Sequence, residues 1–133
     1  MNNTKRIEEI LILNGKLIEY LSNTKFNVFQ AECKRNELIQ YLFNNNSFYS
    51  QNKNRITSDE YYLERITSLL DIILSNYKSA VSFISQRKTS KYDLKGRPLT
   101  DWDFYVAIKT KVIDNCEEKT LEINDIINRK KTK

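Results

Sequence analysis

Apolar residues recur along this chain in steps of three and four, the spacing that gathers them on one face of a helix. Ile7, Ile10, Leu11, Leu17, Ile18 and Leu21 mark a first helix over residues 4–22, with Asn3 or Thr4 placed to cap it. Gly15 interrupts that pattern at a cost of about 1 kcal/mol relative to alanine, and so small a residue is expected to let a neighbouring helix come close. Phe26, Phe29, Cys33, Leu38, Tyr41 and Leu42 mark a second helix over 26–43.

The asparagine-rich run at 44–56 shows no periodicity and reads as a loop, with Phe48 and Tyr49 folding back on the core. Thr57-Ser58-Asp59-Glu60 has the form of a capping box, with Thr57 as the cap and Glu60 reaching back. It predicts a third helix over 58–87, in which Tyr62, Ile66, Leu69, Ile73, Tyr77, Ala80 and Ile84 form a stripe that Leu70, Ile72, Leu74, Val81 and Phe83 widen. Thr100, followed by Asp101 and Asp103, starts a fourth helix over 100–129. Its seam is expected at Trp102, Val106, Ile113, Cys116, Ile123 and Ile127, with Lys109 and Thr120 filling two further seam positions.

Two glycines and one proline in 133 residues leave too few turn formers for a sheet protein. The pattern predicts an all-α, single-domain antiparallel four-helix bundle. Cys33 and Cys116, far apart and without a CxxC motif, are expected to be buried free thiols. The first apolar run is interrupted by Glu8, Glu9, Lys16 and Glu19 and does not read as a signal peptide. The most apolar segment, 66–84, contains Asp71, Asn76 and Lys78, so no membrane span and a cytoplasmic location are expected.

Charge narrows the function further. With no histidine, a Ser-His-Asp triad and most zinc or haem sites are excluded, and no glycine-rich phosphate loop occurs. Glu118 and Glu122 are four apart on one helix face, but the Glu-x-x-His pairs of a di-metal bundle are missing, so they read as a solvated acidic face. No cofactor and no enzymatic activity are expected. Positive charge is local: residues 86–97 carry +4, the last five residues another +4, and the remainder −3. The fifteen asparagines, with abundant lysine, isoleucine and tyrosine, are types with A/T-rich codons, which weakens the pI near 9.1 as a sign of nucleic acid and would fit a phage or mobile-element gene.

Two readings of function follow. The first is a small non-enzymatic macromolecule-binding protein, of the inhibitor, immunity or accessory-subunit type, that works through a protein–protein contact. Ser75, Ser79 and Ser82 lie along one face of the third helix and form a candidate face for a partner or for a second copy of the chain. The alternative is a nucleic-acid-binding protein. In it Lys88, Lys91, Lys95 and Arg97 of the basic 88–99 connection contact phosphate, Tyr92 stacks, and the basic tail at 130–133 adds charge. Cations that close a helix also have a purely local explanation, since they favour its C-terminus by about 0.3–1 kcal/mol each.

Overall fold

Asn2 starts the first helix: its side chain accepts a hydrogen bond from the Lys5 backbone N–H at 2.9 Å, satisfying one of the donors left over at a helix N-terminus. The computed structural model describes residues 1–24, 29–89 and 101–129, with the backbone alone at 87–89, 101 and 102. Its elements are α1 (Asn3–Asn23), α2 (Phe29–Thr57), α3 (Leu63–Thr89), α4 (Asp101–Lys109), a π-helical turn (Thr110–Asp114) and α5 (Glu117–Arg129). The described chain is all-α, a helical bundle with α4, the π turn and α5 forming one continuous fourth arm.

The largest correction concerns residues 44–56, which continue α2 as far as Thr57 instead of forming a loop. No glycine or proline interrupts 29–57, and the positions facing inward, Ala31, Arg35, Leu38, Leu42, Asn45, Tyr49 and Ile56, keep a strict alternation of three and four once half-buried Asn52 is included. Asparagine is a weak helix former, but packing of that stripe overrides propensity. Phe48 and Tyr49 do reach the core, from a helix and not by folding back; Tyr49 is fully buried.

Three smaller corrections follow from local chemistry. The cap before α3 is Asp59 and not Thr57: its carboxylate accepts from the Tyr62 backbone N–H at 2.8 Å, and Ser58–Tyr62 connect α2 to α3. Gly15 is exposed, and a Cβ there would meet nothing within 4 Å, so it permits no close helix contact. Cys33 is exposed, while Cys116 is buried.

The fourth arm keeps its expected extent, and its expected phase from Cys116 onward, but not before it; the side chain of Trp102 lies outside the described residues. Its inward positions are Phe104, Ile108, Val112, Cys116, Thr120, Ile123 and Ile127, with Tyr105 beside Phe104, whereas Val106 is 41% exposed and Lys109 turns outward to pair with Asp114 at 3.1 Å. Four successive steps of four drift by about 40° each on a helix of 3.6 residues per turn. The π turn absorbs the drift: Asn115 N–H reaches back five residues to Thr110 O at 3.0 Å, and the Cys116 thiol donates to Lys111 O at 3.2 Å.

Contacts across the bundle give the helix directions. Asn14 to Leu42 O, Arg35 to Leu21 O and Lys53 to Glu8 make α1 and α2 antiparallel. Arg65 with Glu122, Asn76 with Asn115 and Phe83 with Phe104 do the same for α3 and the fourth arm. Thr67 with Asn3, Asp71 with Arg6 and Lys78 with Glu9 run in step, so α1 and α3 are parallel neighbours. So are α2 and the fourth arm, through Tyr41 to Val112 O, Tyr49 with Thr120 and Arg55 to Ile127 O. The bundle is therefore not antiparallel throughout: α1 neighbours α2 and α3, the fourth arm neighbours the same two, and α2 faces α3 across the core.

Candidate functional site

Each helix of this bundle presents a different outer surface, and that of α3 carries the residues singled out in the sequence. Ser75, Ser79 and Ser82 are all exposed, together with Ser68 and Ile72, which is 41% exposed. The reason is the position of the core stripe: Ile66, Leu70, Ile73, Tyr77, Ala80 and Ile84 point inward, and the serines lie on the far side of the helix.

Between Ile66 and Gln86 this helix has two charged residues, and both lean toward α1. Asp71 receives the Arg6 guanidinium at 2.7 Å and Lys78 lies 4.0 Å from Glu9. The strip along Ser68, Ile72, Ser75, Ser79 and Ser82 is thus uncharged, about 20 Å long at 1.5 Å per residue.

The basic residues placed in the 88–99 connection cannot be set against this geometry. Lys88 falls in the last turn of α3, and its side chain, together with Lys91, Tyr92, Lys95 and Arg97, lies outside the described residues, as does the 130–133 tail. The helices that lead into them end at opposite ends of the bundle, α3 beside the end of α1 and α5 beside the end of α2.

Parallel neighbours place two helix C-termini side by side, and an arginine serves that junction at the end of α2 and α5. Arg55 donates to Ile127 O at 2.9 Å and to the Asn128 side chain at 3.0 Å, the position in which a cation complements both helix dipoles. Arg35, buried and paired with Glu32, donates to Leu21 O in the last turn of α1. Glu122 is held by Arg65 across the α3 interface at 2.7 Å, and this hydrogen bond lowers its carboxyl below the ordinary carboxylate range. Glu118 is exposed, and among the described residues no three acidic or cysteine side chains converge as metal ligands.

The centre of the bundle is polar where a sequence reading finds only core. Asn45 donates to the Tyr77 hydroxyl at 3.1 Å, bridging α2 and α3 across the core. Tyr49 and Thr120 share a hydrogen bond of 2.8 Å one turn further on. The Tyr41 hydroxyl lies 3.4 Å from Val112 O, at the π turn. Burial pushes the Tyr41 phenol up to about 12 and the Cys116 thiol up to about 12, and raises Tyr49 and Tyr77 well above the ordinary phenol value. These groups are protonated at neutral pH and shielded from solvent, so they act as internal struts. Sequence reasoning missed Asn45; the signal that would have found it is the unbroken three-and-four spacing from Leu38 through Ile56.

A groove of about 480 Å³ lies between the ends of α1 and α3, lined by Tyr20, Val81 and Ile84 with Lys16 and Glu19 at its rim. Among the described residues no helix is long and apolar enough to cross a membrane. No known protein family, curated protein or solved structure matches this chain.

Proposed function

We propose that this is a small non-enzymatic binding protein of the cytoplasm, of the inhibitor, immunity or accessory-subunit type, acting through a protein–protein contact on the outer face of α3. The observation that supports it is the uncharged, exposed strip of Ser68, Ile72, Ser75, Ser79 and Ser82, whose flanking charges at Asp71 and Lys78 are engaged with α1. Interface cores are depleted of charge relative to other surface, and small side chains let a partner helix approach closely.

Affinity capture from the source organism, with and without nuclease, tests the reading when the wild-type chain is compared with a Ser75→Arg, Ser79→Arg variant. Both positions are exposed, so circular dichroism and thermal midpoint should stay unchanged. A specific protein retained after nuclease by the wild type and lost with the variant is the expected result. Capture that disappears with nuclease, and salt sensitivity with a log-log slope near −0.9 per neutralised phosphate, would instead assign binding to Lys88, Lys91, Tyr92, Lys95 and Arg97.

A further inference from the structure

Of the fifteen asparagines in this chain only Asn14 is followed by glycine, which makes its side-chain amide the one most open to attack from its own main chain. When the chain is unfolded, the Gly15 amide nitrogen can reach the Asn14 side-chain carbon, because no Cβ on Gly15 crowds the approach. The bond from that nitrogen to Asn14 Cγ forms as the Gly15 N–H gives up its proton; the Cγ–Nδ2 bond breaks and ammonia leaves. Water then opens the five-membered imide at either carbonyl. The product is an aspartate, or an isoaspartate with one extra methylene in the main chain. Water is the only co-reactant.

The fold withholds each part of this reaction. Asn14 stands in the middle of α1 and is 1% exposed, so solvent is kept from its amide. Its Nδ2 donates to Leu42 O of α2 at 2.7 Å, which holds the amide against rotation toward Gly15. The Gly15 N–H is a rung of the α1 hydrogen-bond ladder, directed along the helix axis, while the Asn14 side chain is buried in the bundle. Gly15 is itself exposed, and a Cβ there would meet nothing within 4 Å. The glycine that makes the amide fragile is therefore not one that packing requires.

The same position is closed to the product. Asn14 Oδ1 is buried without a hydrogen-bond partner among the described residues, so the amide is held through Nδ2 alone. A carboxylate in its place has no N–H to give and sets a buried negative charge against a carbonyl oxygen. Isoaspartate also lengthens the backbone and breaks the ladder. We infer that Asn14 is a spontaneous hydrolysis site concealed by the fold, and that conversion during an excursion of α1 out of the bundle keeps the chain from returning to its native state. The rate of loss then follows the population of opened chain, and a partner that binds only the folded form lowers that population. None of this rests on the function proposed above.

Trypsin cleavage after Arg6 and Lys16 releases Ile7–Lys16, in which Asn14 is the only amide side chain. Mass spectrometry of that peptide reads the change from amide to acid directly. In guanidinium beyond the unfolding transition, at mildly alkaline pH, Asn14 should convert ahead of every other asparagine. In native buffer at the same pH its conversion should be slower by a factor on the order of 10³ or more, as the unfolded fraction dictates. When the denaturant is diluted, converted chains should fail to regain the helical signal that unconverted chains recover. Gly15→Ala should slow conversion severalfold in denaturant and also raise the thermal midpoint, because alanine favours the helix and meets no neighbour. A purely stabilising change would leave the rate in denaturant unaltered. Conversion as fast in native buffer as in guanidinium, or converted chains that refold with the wild-type midpoint, would overturn the inference.

Discussion

Asn45 and Tyr77 show how one polar pair can organise an otherwise apolar centre. Asn45 is the buried partner of the Tyr77 hydroxyl and also hydrogen-bonds the Tyr41 side chain, so removing Asn45 or Tyr77 alone disturbs a shared buried polar group. Tyr77→Phe or Asn45→Leu should each cost about 1–3 kcal/mol. The double variant should cost less than the sum, with a coupling on the order of 1 kcal/mol in urea unfolding; strict additivity would show that the bond contributes nothing. Tyr77 was legible in the sequence, since it falls in the helical stripe of α3. Asn45 was not, because an asparagine between two others carries the signature of a turn and only a partner 32 residues away gives it a place inside.

At the scale of the element, α2 and the fourth arm carry the departures from sequence expectation, and for different reasons. In α2 the local preference for a loop gives way to a stripe that buries Asn45, Tyr49 and Ile56. Ser47 lies on its exposed face in the middle of that segment. Ser47→Pro removes a helical hydrogen bond there and should destabilise the protein by about 3 kcal/mol or more, read from the denaturation midpoint. In a loop the same change would be nearly neutral, so a small effect would contradict the helix. In the fourth arm the period was read in the wrong phase before Cys116: Val106 and Ile113 fit a heptad drawn with steps of three and four, yet Val106 is exposed and Ile113, inside the π turn, is only half-buried, whereas the chain uses steps of four from Phe104 to Thr120. A run of fours without a compensating three is the written trace of that turn.

The response of the whole molecule to pH follows from what its core encloses. Cys116 and Tyr41 are raised to about 12 by burial, and Tyr49 and Tyr77 are also raised well above the ordinary phenol value, so the folded chain keeps protons that the unfolded chain releases. For groups raised in this way stability is fully present below the unfolded pKa and is lost as pH climbs toward the folded one. The thermal midpoint should therefore be flat near neutrality and fall above a pH of about 9, the ordinary thiol value, with Cys116→Ala making the fall shallower. At pH 8 a thiol reagent should modify exposed Cys33 and spare Cys116 until the protein is unfolded. On the acid side, Glu8 and Glu122 are lowered by Lys53 and Arg65, and the contribution of these surface pairs disappears as pH drops through their depressed values. Exposed ion pairs are worth little, so the acid loss should be smaller than the alkaline one.

Sequence alone determined that this chain is helical and which residues line most of its core, because helical periodicity and the scarcity of glycine and proline are local properties that any partner arrangement must respect. It also placed Ser75, Ser79 and Ser82 together on one helix face. Tertiary structure decided that 44–56 belongs to a helix, that α1 and α3 run parallel, and that Asp71 and Lys78 are engaged by α1, leaving the serine strip uncharged. These depend on contacts between residues far apart in the chain, and a contact across the bundle can outweigh a local propensity of about half a kcal/mol per residue.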